Sequence, residues 1–328
     1  MIVTLHADAD ADAARRALVG RGLWVKRFDA GVEGPVQYLV EAGSPATSAT
    51  ELCSIEGVAS VATRPSPHPL LDRQPSLVDV GGVAIGPGAD PVLIAGPCSV
   101  ESPQGILGIA GRLARLGVRF LRGGAYKPRT SPYSFQGHGA RALRWMRDAA
   151  DAHGMLVVTE AIGVEEVGPV AEVADLLQIG SRNMHNPPLL RAAGATGKPI
   201  LLKRGMAATV NEWLLAAERC LWHGAAGVVL CERGLRGFES STRHLLDLGS
   251  VALLAHVHRL PVIVDPSHGA GRRDLIAPLS RAAIAAGAAG LIIETHDDPG
   301  RALSDGPQAL PIDEIAQVNP CPAATSHA

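Results

Sequence analysis

Between residues 91 and 296, eight short apolar, β-branched runs recur with helical stretches between them: PVLIAG, VRFLRGG, MLVVTEA, LLQIG, PILLKRG, GVVLCER, PVIVDPSH and GLIIETH. A strand with one wet face alternates apolar and polar residues. A run that is apolar throughout is buried on both faces, as in a parallel sheet covered by helices. The intervening segments suit such helices, and QGHGARALRWMRDAADAHG and NEWLLAAERCLWHG each end in a glycine fit for a C-cap. Eight βα units in roughly 230 residues predict a closed (β/α)8 TIM barrel over 91–328. A doubly wound open sheet is the alternative, since a strand count does not prove closure.

The N-terminal segment follows another rule. IVTLH, a helix from Asp8 to Gly20, WVKRFDA, VQYLVEA, a helix after Ser44 and VASVATR give the strand-helix-strand-strand-helix-strand order of a small ferredoxin-like α+β domain over 1–65. The proline-rich RPSPHPLLDRQP then breaks regular structure. With the hairpin LVDVGGVAIGPG it is read as a linker over 66–90.

Composition excludes several functions. Thirty basic against 32 acidic residues leave a formal charge of -2, so nothing draws the whole chain to nucleic acid or an anionic membrane. The first residues carry no export signal, and no apolar run reaches the length of a membrane span. Five cysteines make no disulfide framework, and a cytoplasmic location is expected.

Chemistry collects where the eight runs end, the edge at which barrel enzymes place their sites. In order these residues are Cys98, Arg122, Glu160, Arg182, Lys203, Arg233, His268 and Glu294. Chance would make one or two of eight ionisable. Cys98, His268 and Glu294 are metal-ligand types, and Asp305 in LSDGP can complete a fourth position. A sulfur, nitrogen and oxygen set suits Mn, Fe, Co or Zn better than Mg or Ca. Arg122, Lys127, Arg129, Arg182, Lys203 and Arg233 would crowd positive charge at one mouth. That crowding calls for phosphate or carboxylate ligands. Only four residues of the chain are lysine, and two of them, Lys127 and Lys203, fall here.

The segments AGPCSVES, LRGGAYKPRTSPYSFQG, QIGSRN, LLKRG, LCERG, VDPSHGAGRRDL and ALSDGPQ resemble the type I beta 3-deoxy-D-arabino-heptulosonate 7-phosphate (DAHP) synthases, from about residue 70 onward. Residues 1–65 resemble more loosely the ACT-like domain that precedes the barrel in some members. The resemblance implies condensation of phosphoenolpyruvate with erythrose 4-phosphate, with release of phosphate, at a divalent metal. It implies that Arg122, Lys127 and Lys203 hold the carboxylate region of phosphoenolpyruvate, and Arg182 and Arg233 its phosphate. Pro128, Arg129 and Thr130 would hold the aldose phosphate, and Cys98, His268, Glu294 and Asp305 the metal. Lys127, Glu160, His268 and Asp305 are the expected catalytic residues, with Glu160 set to orient or deprotonate water. A homo-oligomer, dimer or tetramer, and an aromatic amino acid effector are further expectations from the resemblance.

Two alternatives stay open. KDO 8-phosphate synthase is a related barrel using arabinose 5-phosphate, and KPRTS argues against it because that family resembles KANRS there. An amino-acid-sensing protein on an inactive barrel is the other, and the full ligand and cation set speaks against it. His256 and His258 are too close in sequence to share a helix face. GATGKP lacks the Ser or Thr of a phosphate loop. Arg272, Arg273, His185 and Cys231 are read as salt-bridging, solvated or packing residues.

Overall fold

The computed structural model describes residues 1–29, 35–41, 43–63, 65–127, 131 and 133–320. It divides into two compact units, Met1–Pro67 and His68–Ala328.

The first unit is one antiparallel sheet with two helices. Strands β1 (Ile2–Leu5), β2 (Val25–Asp29), β3 (Val36–Val40) and β4 (Val58–Ala62) lie in the order β2-β3-β1-β4, with α1 (Ala11–Gly20) and α2 (Ala49–Cys53) in the connections. Alternate residues Val3 and Leu5 of β1 turn inward and join Leu18, Tyr38 and Leu52 in one core. Each helix starts at its cap. Asp10 accepts from the backbone N–H groups of Asp12 and Ala13, and Ser48 forms a reciprocal capping box with Glu51. The helix expected from Asp8 therefore begins at Ala11, behind its aspartate cap.

The second unit is the barrel. Its strands are β7 (Val92–Gly96), β8 (Phe120–Arg122), β9 (Leu156–Ala161), β10 (Leu176–Ile179), β11 (Ile200–Lys203), β12 (Val228–Glu232), β13 (Val262–Val264) and β14 (Gly290–His296). They run parallel in chain order, and β14 pairs with both β7 and β13, which closes the ring and excludes the open sheet. A two-residue strand, β15 (Leu310–Pro311), adds to β14.

Closure explains the continuous apolar runs. On each strand alternate residues face the lumen and the helical shell. Ile94, Phe120, Val158, Leu176, Leu201, Val229, Ile263 and Ile292 fill the lumen. Their neighbours Leu93, Leu121, Val157, Leu177, Leu202, Leu230, Val262 and Ile293 pack outward among the helices. The hairpin of β5 (Val78–Val80) and β6 (Val83–Ile85) adds Val78, Val80 and Ile85 to the lumen cluster. Its turn glycines Gly81 and Gly82 have φ of +57° and +80°. A Cβ on Gly81 would also stand 2.5 Å from the Leu156 side chain, so a larger residue there would meet both backbone strain and a clash. No helix among the described residues is long and apolar enough to cross a membrane.

Candidate active site

The lumen register fixes which side chains reach the barrel mouth. Two residues beyond a lumen-facing hydrophobe, the next inward position lies at the C-terminal rim: Arg122 after Phe120, Glu160 after Val158, Lys203 after Leu201 and Glu294 after Ile292. The same step gives Gln178 after Leu176 and Asp265 after Ile263, two residues that a reading centred on Arg182 and His268 passes over. On β7 the corresponding position is Gly96, where a Cβ would fall on the Arg122 carbonyl oxygen. Cys98 follows in the turn beyond. Glu160 and Glu294 sit inside their strands rather than after them, and His268 lies in the short helix Pro266–Ala270.

Cys98, Glu294 and Asp305, far apart in the chain, bring ligand atoms within 4.8 Å of one another. Cys98 Sγ lies 3.1 Å from Asp305 Oδ2. Asp305 holds φ of +51°, a left-handed backbone uncommon for a residue with a side chain. His268 stands outside that group, but its Nε2 is 3.2 Å from Glu294 Oε1. Glu294 is wholly buried and well partnered: Oε1 takes Arg122 Nη1 at 2.9 Å, and Oε2 takes Gln308 Nε2 at 2.5 Å. Burial raises its pKa, yet His268 and Arg122 outweigh burial and hold the carboxyl well below the usual range. Burial, with Glu294 next, pushes the Cys98 thiol up to about 12.

This donor set fits a divalent metal. Two carboxylates, an imidazole and a thiol able to surrender its proton on binding supply the mixed oxygen, nitrogen and sulfur donors that such an ion takes.

Behind the mouth, Asp265 joins two functional groups. Its Oδ2 accepts from Lys203 Nζ at 2.5 Å and meets His268 Nδ1 at 2.7 Å, while Oδ1 accepts from the His268 backbone N–H at 2.9 Å. With Nδ1 so engaged, His268 presents Nε2 to the donor cluster. Gln178 similarly holds Glu160, donating to Oε2 at 2.9 Å. Lys127 Nζ lies 2.9 Å from both the carbonyl oxygen and Sγ of Cys98. Deeper still, buried Arg204 pairs with Glu232 and with Asp247, each at 2.9 Å, and Glu232 accepts from the Gly234 N–H at 2.7 Å. That network anchors both ends of the loop following β12.

The mouth encloses a cavity of about 120 Å³ edged by Arg122, Lys127, Arg182, Lys203, Arg233 and Arg243, with Glu160, His268 and Asp305 as further lining groups. Arg122 and Lys203 have carboxylate partners in Glu294 and Asp265. Among the described residues, Arg182, Arg233 and Arg243 have no carboxylate within 4.0 Å. Arg233 is 6% exposed. A buried guanidinium without a counter-ion is costly, so this arrangement is built for an anion. Pro128, Arg129 and Thr130 lie outside the described residues.

The sequence model of the DAHP synthetase I family matches residues 62–326. The chain belongs to that family. Within reach of the DAHP synthetase I relatives, it is 49% identical over 284 residues to a phospho-2-dehydro-3-deoxyheptonate aldolase of Thermotoga maritima, covering 85% of this chain and 81% of that one. A more distant relative is a 2-dehydro-3-deoxyphosphooctonate aldolase of Bordetella bronchiseptica, 33% identical over 251 residues, 69% of this chain and 87% of that one. In structure the chain is similar to crystalline DAHP synthase from Thermotoga maritima, with a TM-score of 0.76 and 42% identity over 97% of this chain and 94% of that one. A truncated form of 3-deoxy-D-arabino-heptulosonate 7-phosphate synthase from Thermotoga maritima matches with a TM-score of 0.69 and 47% identity, over 75% of this chain and 90% of that one.

Proposed function

We propose that this chain is a DAHP synthase, a transferase that condenses phosphoenolpyruvate with erythrose 4-phosphate and releases phosphate, the first step of the shikimate pathway. One observation carries the reading: a cysteine, imidazole and carboxylate donor cluster shares a barrel mouth with four cations, Lys127, Arg182, Arg233 and Arg243, that lack carboxylate partners among the described residues. The two substrates together bring two phosphates and a carboxylate, the charges such a mouth needs.

Residue by residue, Arg182 and Arg233 hold the phosphate of phosphoenolpyruvate, and Arg122, Lys127 and Lys203 its carboxylate region. Pro128, Arg129 and Thr130 take the aldose phosphate, a role resting on the KPRTS sequence. This fixes two mutually repelling anions side by side, so that carbon 3 of phosphoenolpyruvate attacks the aldehyde carbon of the sugar. Cys98, His268, Glu294 and Asp305 would hold a divalent metal, whose chemistry is Lewis-acid stabilisation of negative charge on the aldehyde oxygen. Glu160, fixed by Gln178, orients or deprotonates the water that adds at carbon 2. The resulting phosphohemiketal expels phosphate by carbon–oxygen cleavage.

Residues 1–65 are proposed as an ACT-like regulatory unit with an aromatic amino acid as effector, in a cytoplasmic homo-oligomer. Supporting the compartment, Cys53, Cys98, Cys220 and Cys231 are free thiols.

Mass spectrometry of the product tests the substrate pair. Offered erythrose 4-phosphate and arabinose 5-phosphate in equal amounts, the enzyme is expected to make the seven-carbon sugar acid phosphate. A predominantly eight-carbon product would move it to the KDO 8-phosphate reaction.

A further inference from the structure

Arg243 was not marked by the strand-end pattern, because it arrives at the mouth on the loop after β12. Its place there is built. Its backbone N–H donates to Ala270 O at 2.8 Å, and that of His244 donates to Gly269 O at 3.0 Å. The arginine stem lies over Gly271, whose φ is +65° and where a Cβ would stand 2.6 Å from Arg243 Cβ. The guanidinium Nη1 donates to Gln308 Oε1 at 2.9 Å. Gln308, 4% exposed, passes the link on, since its Nε2 donates to Glu294 Oε2 at 2.5 Å. On the other side Arg243 edges the same cavity as Arg233. Burial and the like charge of Arg243 press the Arg233 guanidinium pKa down, against the pull of Asp265.

We propose that Arg243 is a positioning residue acting in two directions: its guanidinium shares with Arg233 the phosphate of bound phosphoenolpyruvate, and its bond to Gln308 fixes the Glu294 carboxylate within the donor cluster. An amide is suited to this relay because it accepts from arginine at one end and donates to a carboxylate at the other. Anion binding and metal-ligand orientation thereby share one rigid chain of three side chains. The proposal rests on the DAHP synthase reading for its substrate. The Arg243 to Glu294 link is tested without turnover.

The variants R243A, R243K, Q308M and R243A/Q308M are compared by two readouts. The first is Mn²⁺ binding to EDTA-stripped protein without substrate, followed by electron paramagnetic resonance. The second is steady-state KM and kcat for phosphoenolpyruvate. R243A is expected to raise KM about tenfold, the scale of one lost charge-assisted hydrogen bond, with a smaller fall in kcat. It should also loosen Mn²⁺ about threefold, the scale of one neutral hydrogen bond. Q308M should loosen Mn²⁺ at least as much with a smaller rise in KM, and the double variant should be no looser than Q308M alone. R243K, which keeps the charge, should recover most of the KM change. Wild-type Mn²⁺ binding in R243A, an unchanged KM, or losses of Mn²⁺ affinity that multiply in the double variant would each overturn the proposal. A wild-type chain that binds Mn²⁺ yet turns over neither aldose would instead overturn the DAHP synthase reading, and the Mn²⁺ series would still decide the relay.

Discussion

Neutralising Asp265 by the substitution D265N isolates the tie between Lys203 and the imidazole of His268. The carboxylate is 1% exposed and accepts from Lys203 Nζ, from the His268 backbone and, at 2.7 Å, meets His268 Nδ1. Asparagine keeps the shape and one acceptor but removes the charge, leaving Lys203, itself 5% exposed, as an uncompensated buried cation. Removing one partner of a buried pair costs about 3–5 kcal/mol, a large part of the ~5–15 kcal/mol that holds a typical domain together. At ~2–4 °C per kcal/mol for domains of this size class, Tm should fall by roughly 6–20 °C. The assay is denaturant and thermal unfolding of D265N, K203M and K203M/D265N. The double variant should lose less stability than the sum of the singles, because it leaves no orphaned charge. The pH dependence has a definite sign. Burial opposes ionisation of Asp265, but His268 and Lys203 overcome it and hold its carboxyl far below its ordinary value. Its contribution is therefore complete above the unfolded carboxylate pKa and drains away as pH falls below it. D265N within about 1 kcal/mol of wild type, or strict additivity in the double variant, would show that Asp265 does not compensate the Lys203 charge.

Three further outcomes are expected. R233M should raise the Tm of substrate-free protein, because it removes a buried cation with no carboxylate partner among the described residues, while raising KM for phosphoenolpyruvate ~10–100-fold. Inorganic phosphate should then stabilise wild type but not R233M in thermal scans. Among the described residues the buried Nδ1 of His244 has no hydrogen-bond partner, and burial together with Arg233 and Arg243 pushes its pKa down to about 4 from 6.5. The unfolded chain takes up a proton that the folded ring refuses, so wild type should lose stability as pH falls from 6.5 through 4, and unfolding curves of H244N should be flatter over that window. G96A places a Cβ on the Arg122 carbonyl oxygen, and a cost above ~3 kcal/mol or failure to fold is expected from circular dichroism of the purified variant.

The barrel was readable because a strand buried on both faces has to be apolar at every position, and eight such runs leave few architectures. Its mouth was readable at Arg122, Lys203 and Glu294 for a related reason, since a charged residue at the end of an apolar run is conspicuous, and at Cys98 because a thiol follows the first run within two residues. Gln178 is uncharged, so it did not stand out, although it occupies the inward position two residues past Leu176. Asp265 was overshadowed by His268, three residues on, to which it is bonded. Both were recoverable by continuing the period-two count past the strand end. Arg243 and Gln308 follow no such count, because loops bring them to the mouth and only tertiary contacts reveal their link. The hairpin over 78–85 read as part of a linker from its prolines and glycines, yet Val78, Val80 and Ile85 join the lumen cluster. Three isolated apolar residues in a turn-rich stretch do not disclose what they cover.

The most direct test of the central claim is phosphate release by EDTA-stripped protein given phosphoenolpyruvate and erythrose 4-phosphate, before and after Mn²⁺ is restored. Release is expected only when metal and the four-carbon aldose are both present. Release that is indifferent to metal, or none with either aldose after Mn²⁺ is returned, would contradict that claim.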